Sequence, residues 1–303
     1  MKKFLSMILA AMMLLSLTAC AEAPVMKVAS PAGAPGLALA TLAVQNPDNY
    51  TFVAAETISA EFASAQADFI VAPINAGAKL FKMGKSTYQL AAVVSWGNLF
   101  FASQKEGFKV EDMNGAKVVL FGENTINASV VQYALEKNGI VPAEIEYLGS
   151  AANTQALLLS DAEAIVVTAE PALTASKMKN DKITAYAVND LYKAATGFEG
   201  YTQAGLFVKA ETAANHPEAV EAFLKLVEEA CLANAENIPD VAEAAVALEL
   251  LPNVKVATNA IPGCAVKYVN AWDAKEQVEQ TANVDLTQFG GAVPADAFYY
   301  GAK

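Results

Sequence analysis

The sequence has no arginine and a single histidine, His216, in 303 residues. Each shortage excludes something. Without a guanidinium, no bidentate fork can grip a carboxylate or phosphate. A metal centre built from several histidines is ruled out, and no metal site is expected. A Ser-His-Asp or Cys-His machine would have to use His216. That residue lies in Asn215-His216-Pro217-Glu218, which matches a capping box with Asn215 as cap and Glu218 three residues on. It is therefore read as structural or solvated rather than catalytic. All 20 basic residues are lysines and face 32 acids, a net charge of -12 with no basic stretch. Nucleic-acid binding needs cations to replace phosphate counterions and is disfavoured. No Gly-X-X-X-X-Gly-Lys-Ser/Thr is present, so no ATP site is expected. Charged residues are 17% of the chain against 54% apolar, which excludes chain-wide disorder. The length suits about two domains.

The N-terminus reads as an export signal. Met1-Lys2-Lys3 is followed by an apolar run, Phe4 to Leu17, broken only by Ser6 and Ser16. A spanning helix needs roughly 20 apolar residues, so this run is short for an anchor and right for a signal peptide. Leu17-Thr18-Ala19-Cys20 resembles a bacterial lipobox, with cleavage before Cys20 and a lipid on its thiol. Residues 1-19 are then the signal and 20-24 a lipidated tether. Cys20 is one of only three cysteines. The exported location permits a disulfide between Cys231 and Cys264; the alternative is two separate buried thiols.

The mature chain alternates strands and helices. Expected strands are Val25–Ala29, Tyr50–Ala55, Asp68–Ala72 and Tyr88–Val94. A second set holds Lys117–Phe121, Glu144–Leu148, Ala164–Thr168, Ile183–Val188 and Tyr201–Lys209. Short apolar runs such as Phe69-Ile70-Val71-Ala72 suit strands buried on both faces. Such alternation predicts an α/β fold with mainly parallel, doubly wound sheets. The remainder reads as helical: a helix after Pro217, another over Pro239–Leu251 and a third within Val266–Ala282. Gln288 to Lys303 reads as an extended surface tail.

In open α/β sheets, ligands sit beyond the carboxyl ends of strands, and that rule selects candidate loops. After the first strand come Ser30, Pro31 and Gly33, either ligand-contacting or plain turn chemistry. After the third comes Asn75, which either meets a ligand or caps the helix it precedes. After the fourth come Trp96, Gly97 and Asn98; Trp96 is either a stacking platform or core. In the second set, Asn124, Thr125 and Asn127 open a helix whose free N–H groups favour an anion or carbonyl oxygen; Thr125 or Asn127 is its cap. Glu170 follows a buried strand and pairs either with a ligand N–H or with a lysine of the fold.

Several stretches resemble extracytoplasmic solute-binding proteins of ABC transporters, closest to the nitrate/sulfonate/thiamine-precursor-type branch. They are Val28-Ala29-Ser30-Pro31-Ala32-Gly33, Asp68 to Pro73, Met113 to Leu120, Leu157 to Pro171, and His216 to Leu224. The third of these is where such proteins open their second lobe. One departure is Ser160-Asp161-Ala162-Glu163, where the family often carries Gly-X-X-Asp. The resemblance implies a two-lobe type II periplasmic-binding-protein fold. Its lobes are placed at 25-102 plus 206-303 and at 103-205, with crossings near Phe101–Ser103 and Gly205–Phe207 and the ligand between them. It implies a monomer on the outer side of a bacterial membrane, no cofactor, and permease and ATPase subunits as partners. The ligand is expected to be a small organic solute. A heteroaromatic compound stacked on Trp96 and met by Glu170 is one class; a sulfonate or nitrate on helix N-termini is the other. A ligand sensor signalling to a membrane receptor is the alternative role, and an enzyme on the same fold would rest on carboxylates such as Glu123 and Glu170.

Overall fold

The computed structural model describes residues 25–301; the signal, Cys20 and the tether to residue 24 lie outside them. Strands and helices alternate along the chain and build two sheets. The first has the order β11-β4-β10-β3-β1-β2, from β1 (Val28–Pro31), β2 (Tyr50–Val53), β3 (Phe69–Pro73), β4 (Tyr88–Ser95), β10 (Ala204–Lys209) and β11 (Val266–Asn270). The second has the order β7-β6-β8-β5-β9, from β5 (Leu99–Ser103), β6 (Lys117–Phe121), β7 (Glu144–Leu148), β8 (Ile165–Ala169) and β9 (Thr184–Ala187). The apolar runs do what their composition asks. Phe69 to Ala72 and Leu90 to Val94 are wholly buried, as strands covered on both faces must be.

Strand direction follows from the two crossings. β1 pairs in parallel with β2 and with β3, and β6 in parallel with β7 and with β8. β4 leaves the first sheet at its carboxyl edge, and β5 enters the second sheet from that side. β5 must therefore run against its neighbours, and it pairs antiparallel with both β8 and β9. β10 returns the same way and is antiparallel to β3 and β4. Only Trp96, Gly97 and Asn98 separate β4 from β5. A link that short spans at most about 14 Å, so the two carboxyl edges face each other there.

The strands at the crossings differ in place from the expectation. Phe101–Ser103 is not a crossing but the end of β5, with Phe101 and Ala102 fully buried in the second sheet. The return lies between Ala187 and Ala204, ahead of Gly205–Phe207, which sit inside β10. Val266–Asn270 forms the edge strand β11 on β4 rather than helix, and the helix follows at Lys275–Val284. Its β-branched and aromatic side chains, Val266, Tyr268 and Val269, favour the pleated edge. The stretch over 239–251 ends as helix at Ala247; Pro252 lies just before a separate helix, Val254–Ala260.

Two further expectations are corrected. Asn215 does not cap the following helix; it is the last residue of Ala210–Asn215. His216 is the junction, and Pro217, which has no N–H to lose, starts the helix Pro217–Glu236. The C-terminal segment is not a surface tail. Short turns at Leu286–Phe289 and Asp296–Phe298 bury Phe289, Phe298 and Tyr299, and Tyr300 N–H donates to Leu90 O at 2.8 Å. Cys231 and Cys264 are both buried and not joined by a disulfide, and burial pushes the Cys231 thiol up to about 12.

Candidate functional site

The candidate loops stand at the carboxyl ends of the strands. The first sheet contributes Pro31, Asn75 and Ser95; the second contributes the loop Gly122–Thr125, Ser150 and Glu170. A hydrogen-bonded chain runs between them beneath the crossings. Ser95 Oγ donates to Gln203 Oε1 at 3.2 Å, and Gln203 Nε2 donates to Asn98 Oδ1 at 3.2 Å. Asn98 Nδ2 donates to Glu170 O, and Glu170 N–H returns a bond to Asn98 O, each at 3.1 Å. The main chain of Gln203 also accepts from Ile74 N–H at 3.2 Å, which fixes the end of β3. Asn98 is 7% exposed, so these bonds are made away from water and are costly to break.

The amides around this floor have distinct duties. Asn75 lies inside the helix Ile74–Lys82, whose cap position is Pro73, so it does not cap. Its Oδ1 is buried and has no hydrogen-bond partner among the described residues. Thr125 is the cap of the helix Ile126–Lys137, its Oγ1 accepting from Ala128 N–H at 3.4 Å. That leaves Asn127 free of capping, and its Oδ1 accepts from Tyr201 OH at 3.2 Å. Burial holds the Tyr201 hydroxyl well above its ordinary range, so it stays a donor. Asn124 turns the loop at φ 60°, and its carbonyl accepts from Gln288 Nε2 at 3.0 Å. Ser30 is buried, with its hydroxyl donating to Pro31 O at 3.1 Å, and Gly33 takes φ 87°.

Glu170 and Trp96 occupy different depressions. Glu170 Oε2 accepts from Thr174 N–H at 3.0 Å and Oε1 from Thr174 Oγ1 at 2.9 Å. Burial raises its pKa, against the pull of those two bonds and of Lys177. It lines a crevice of about 480 Å³ between the halves, with Thr174 and Lys177 on one wall and Lys255, Asn259 and Gly263 on the other. Trp96 is half-buried against β11, its Nε1–H donating to Lys267 O at 2.9 Å. Gly97, at φ 82°, has no room for a Cβ beside the Tyr201 ring, so the crossing needs glycine there. Among the described residues, no group of three or more His, Cys, Asp or Glu is placed to hold a metal.

A family model described as NMT1/THI5 like matches residues 36–242, more than half of the chain. The chain belongs to this family. No curated protein matches it by sequence. Solved structures do. An ABC transporter protein from Parabacteroides distasonis is 19% identical with a TM-score of 0.79, over 92% of this chain and 99% of that one. The periplasmic aliphatic sulphonate binding protein SsuA from Escherichia coli is 16% identical with a TM-score of 0.71, over 92% and 93%. The alkanesulfonate-binding protein SsuA from Xanthomonas axonopodis pv. citri, bound to MOPS, is 13% identical with a TM-score of 0.62, over 91% and 99%. These likenesses establish the periplasmic-binding-protein fold for this NMT1/THI5-like chain.

Three residues of this floor escaped the sequence reading. Gln203 joins the two crossings, Tyr201 orients Asn127, and Asn189 Nδ2 donates to the carbonyls of Trp96 and Gly97 at 2.8 and 3.1 Å. Gln203 stands directly before β10, at the mirror position of Asn98 before β5, and a correct placement of the return crossing points to it.

Proposed function

We propose that this chain is the extracytoplasmic solute-binding component of an ABC importer. A lipid on Cys20 holds it to the membrane, and it delivers a small organic solute to a permease with its ATPase. The carrying observation is that two sheets present their carboxyl edges to each other across two crossings, over a hydrogen-bonded row of amides in which Asn98 is buried, in a chain of this family. The lobes are the two sheets with their helices. Closure about the crossings brings both edges onto the solute, which thereby favours the closed state.

The side chains proposed to meet the solute are Ser30, Pro31, Gly33 and Asn75 from the first half, and Asn98 at the floor. Asn124, Thr125, Asn127 and Glu170 face them from the second half. Amides both donate and accept, so this lining suits a heteroaromatic, vitamin-precursor-like compound. A sulfonate-like solute is the second class, held by the N–H groups at the start of Ile126–Lys137. Native mass spectrometry of residues 21–303, purified without denaturation and then offered pyrimidines, other heterocycles, sulfonates, nitrate and amines, tests the role. A single adduct per chain from one chemical class is expected. Adducts that form with all classes alike would contradict a solute-specific site.

A further inference from the structure

A second cavity, of about 450 Å³, lies behind the crossings. In the first sheet, β1 and β3 stand on one side of the crossing strands and the edge strand β11 on the other. The cavity is on the β11 side, away from the loops after β1, β3 and β6. Trp96 comes from one crossing and Phe198 from the other; Val266 and Val269 come from β11, Asn189 from the second half and Gln277 from the helix Lys275–Val284. The lining is more apolar than polar. Trp96 has already placed its only N–H on Lys267 O, so its ring offers a stacking face and needs no polar partner. Two lining residues have unmet acceptors: Asn189 Oδ1 and Gln277 Oε1 are buried and have no hydrogen-bond partner among the described residues. Asn189 is fixed by its two bonds to the Trp96 and Gly97 carbonyls. Gln277, on a flexible stem, can turn its carbonyl to the cavity.

We propose that this cavity is a second binding site, for a small flat aromatic molecule bearing an N–H or O–H donor, distinct from the solute site between the sheets. The ring stacks on Trp96 beside Phe198, and the donor satisfies Gln277. An unmet buried acceptor is costly, so a ligand that supplies the donor gains more than its apolar contact alone. Both crossings line the cavity, so an occupant favours one angle between the halves.

The chain has two tryptophans, Trp96 and Trp272, so its indole N–H resonances are two and assignable with Trp272→Phe. The probes are indole and 1-methylindole, which has the same ring but no donor. They are titrated into nitrogen-15-labelled protein lacking residues 1–20; every described element lies beyond residue 24. The Trp96 resonance is expected to shift saturably with indole while Trp272 stays still. The Kd of 1-methylindole should be about tenfold higher, the worth of one net hydrogen bond. Gln277→Met should bring the two probes to equal affinity, and Val269→Phe, which fills the cavity from β11, should abolish both. A Trp96 resonance indifferent to both probes, or equal affinities in the unsubstituted protein, would overturn the proposal.

Discussion

Asn98 is the residue on which the crossing depends. It accepts from Gln203 and donates to the Glu170 carbonyl, so Asn98→Ala leaves the buried Glu170 carbonyl and the half-buried Gln203 amide without these partners. The expected cost is about 1–3 kcal/mol, read as a lower urea midpoint with an unchanged slope. Asp285 works on the surface where the halves meet. Burial acts against its charge, but bonds from Thr287 and from Ser129 across the halves outweigh it and hold the carboxyl below its ordinary value. A carboxylate lowered in the fold adds stability above its unfolded pKa and loses it as pH falls through the folded one. Asp285→Asn should therefore lower stability slightly at neutral pH, solvent screening keeping the effect small, and the difference from the parent should vanish in acid. Glu170 has the opposite sign. Its pKa is raised by burial, so its contribution is full in acid and declines as pH rises past about 4.5. Glu170→Gln should flatten that decline in a melting-temperature series against pH.

At the scale of elements, close packing sets the tolerances. A Cβ on Gly77 would land in the Phe207 ring, between the helix Ile74–Lys82 and β10. Gly77→Ala should cost about 1–3 kcal/mol although alanine favours the helix, because the ring is fully buried and has nowhere to move. The C-terminal turns are likewise core. Phe298→Ala should lose about 3–5 kcal/mol, measured by urea unfolding, where a surface tail would lose almost nothing. The sequence reading stops at such elements. Strands with continuous apolar runs, β3, β4, β6 and β8, were legible because burial on both faces leaves no alternation to misread. β11 was not, because an edge strand takes its pairing from β4 and carries little pattern of its own. The buried tail was not, because Phe298 and Tyr299 stand among glycine, proline and alanine, a composition that resembles loop. The strand ends that carry the candidate loops were legible from the apolar runs before them. The partition of their side chains was not: Trp96 and Glu170 each follow a strand end, and only the fold shows that one turns toward β11 and the other toward Thr174.

For the whole molecule, the two halves are joined by more than the crossings. Ser129 with Asp285, Asn124 with Gln288, and Tyr192 with Thr281 tie the second half to the C-terminal segment of the first. Apolar packing joins the halves as well, since one buried cluster takes in Val131 and Tyr192 of the second half and Val278, Ala282 and Phe289 of the first. The central claim is that a solute binds over the Asn98–Gln203 floor. The most direct test is a thermal-shift screen of heterocycles, sulfonates, nitrate and amines, run in parallel on the unsubstituted protein and on Asn98→Ala. One chemical class should raise the melting temperature of the unsubstituted protein in a saturable way, and that gain should be lost in Asn98→Ala. An equal gain in both proteins, or no gain from any class, would contradict the claim.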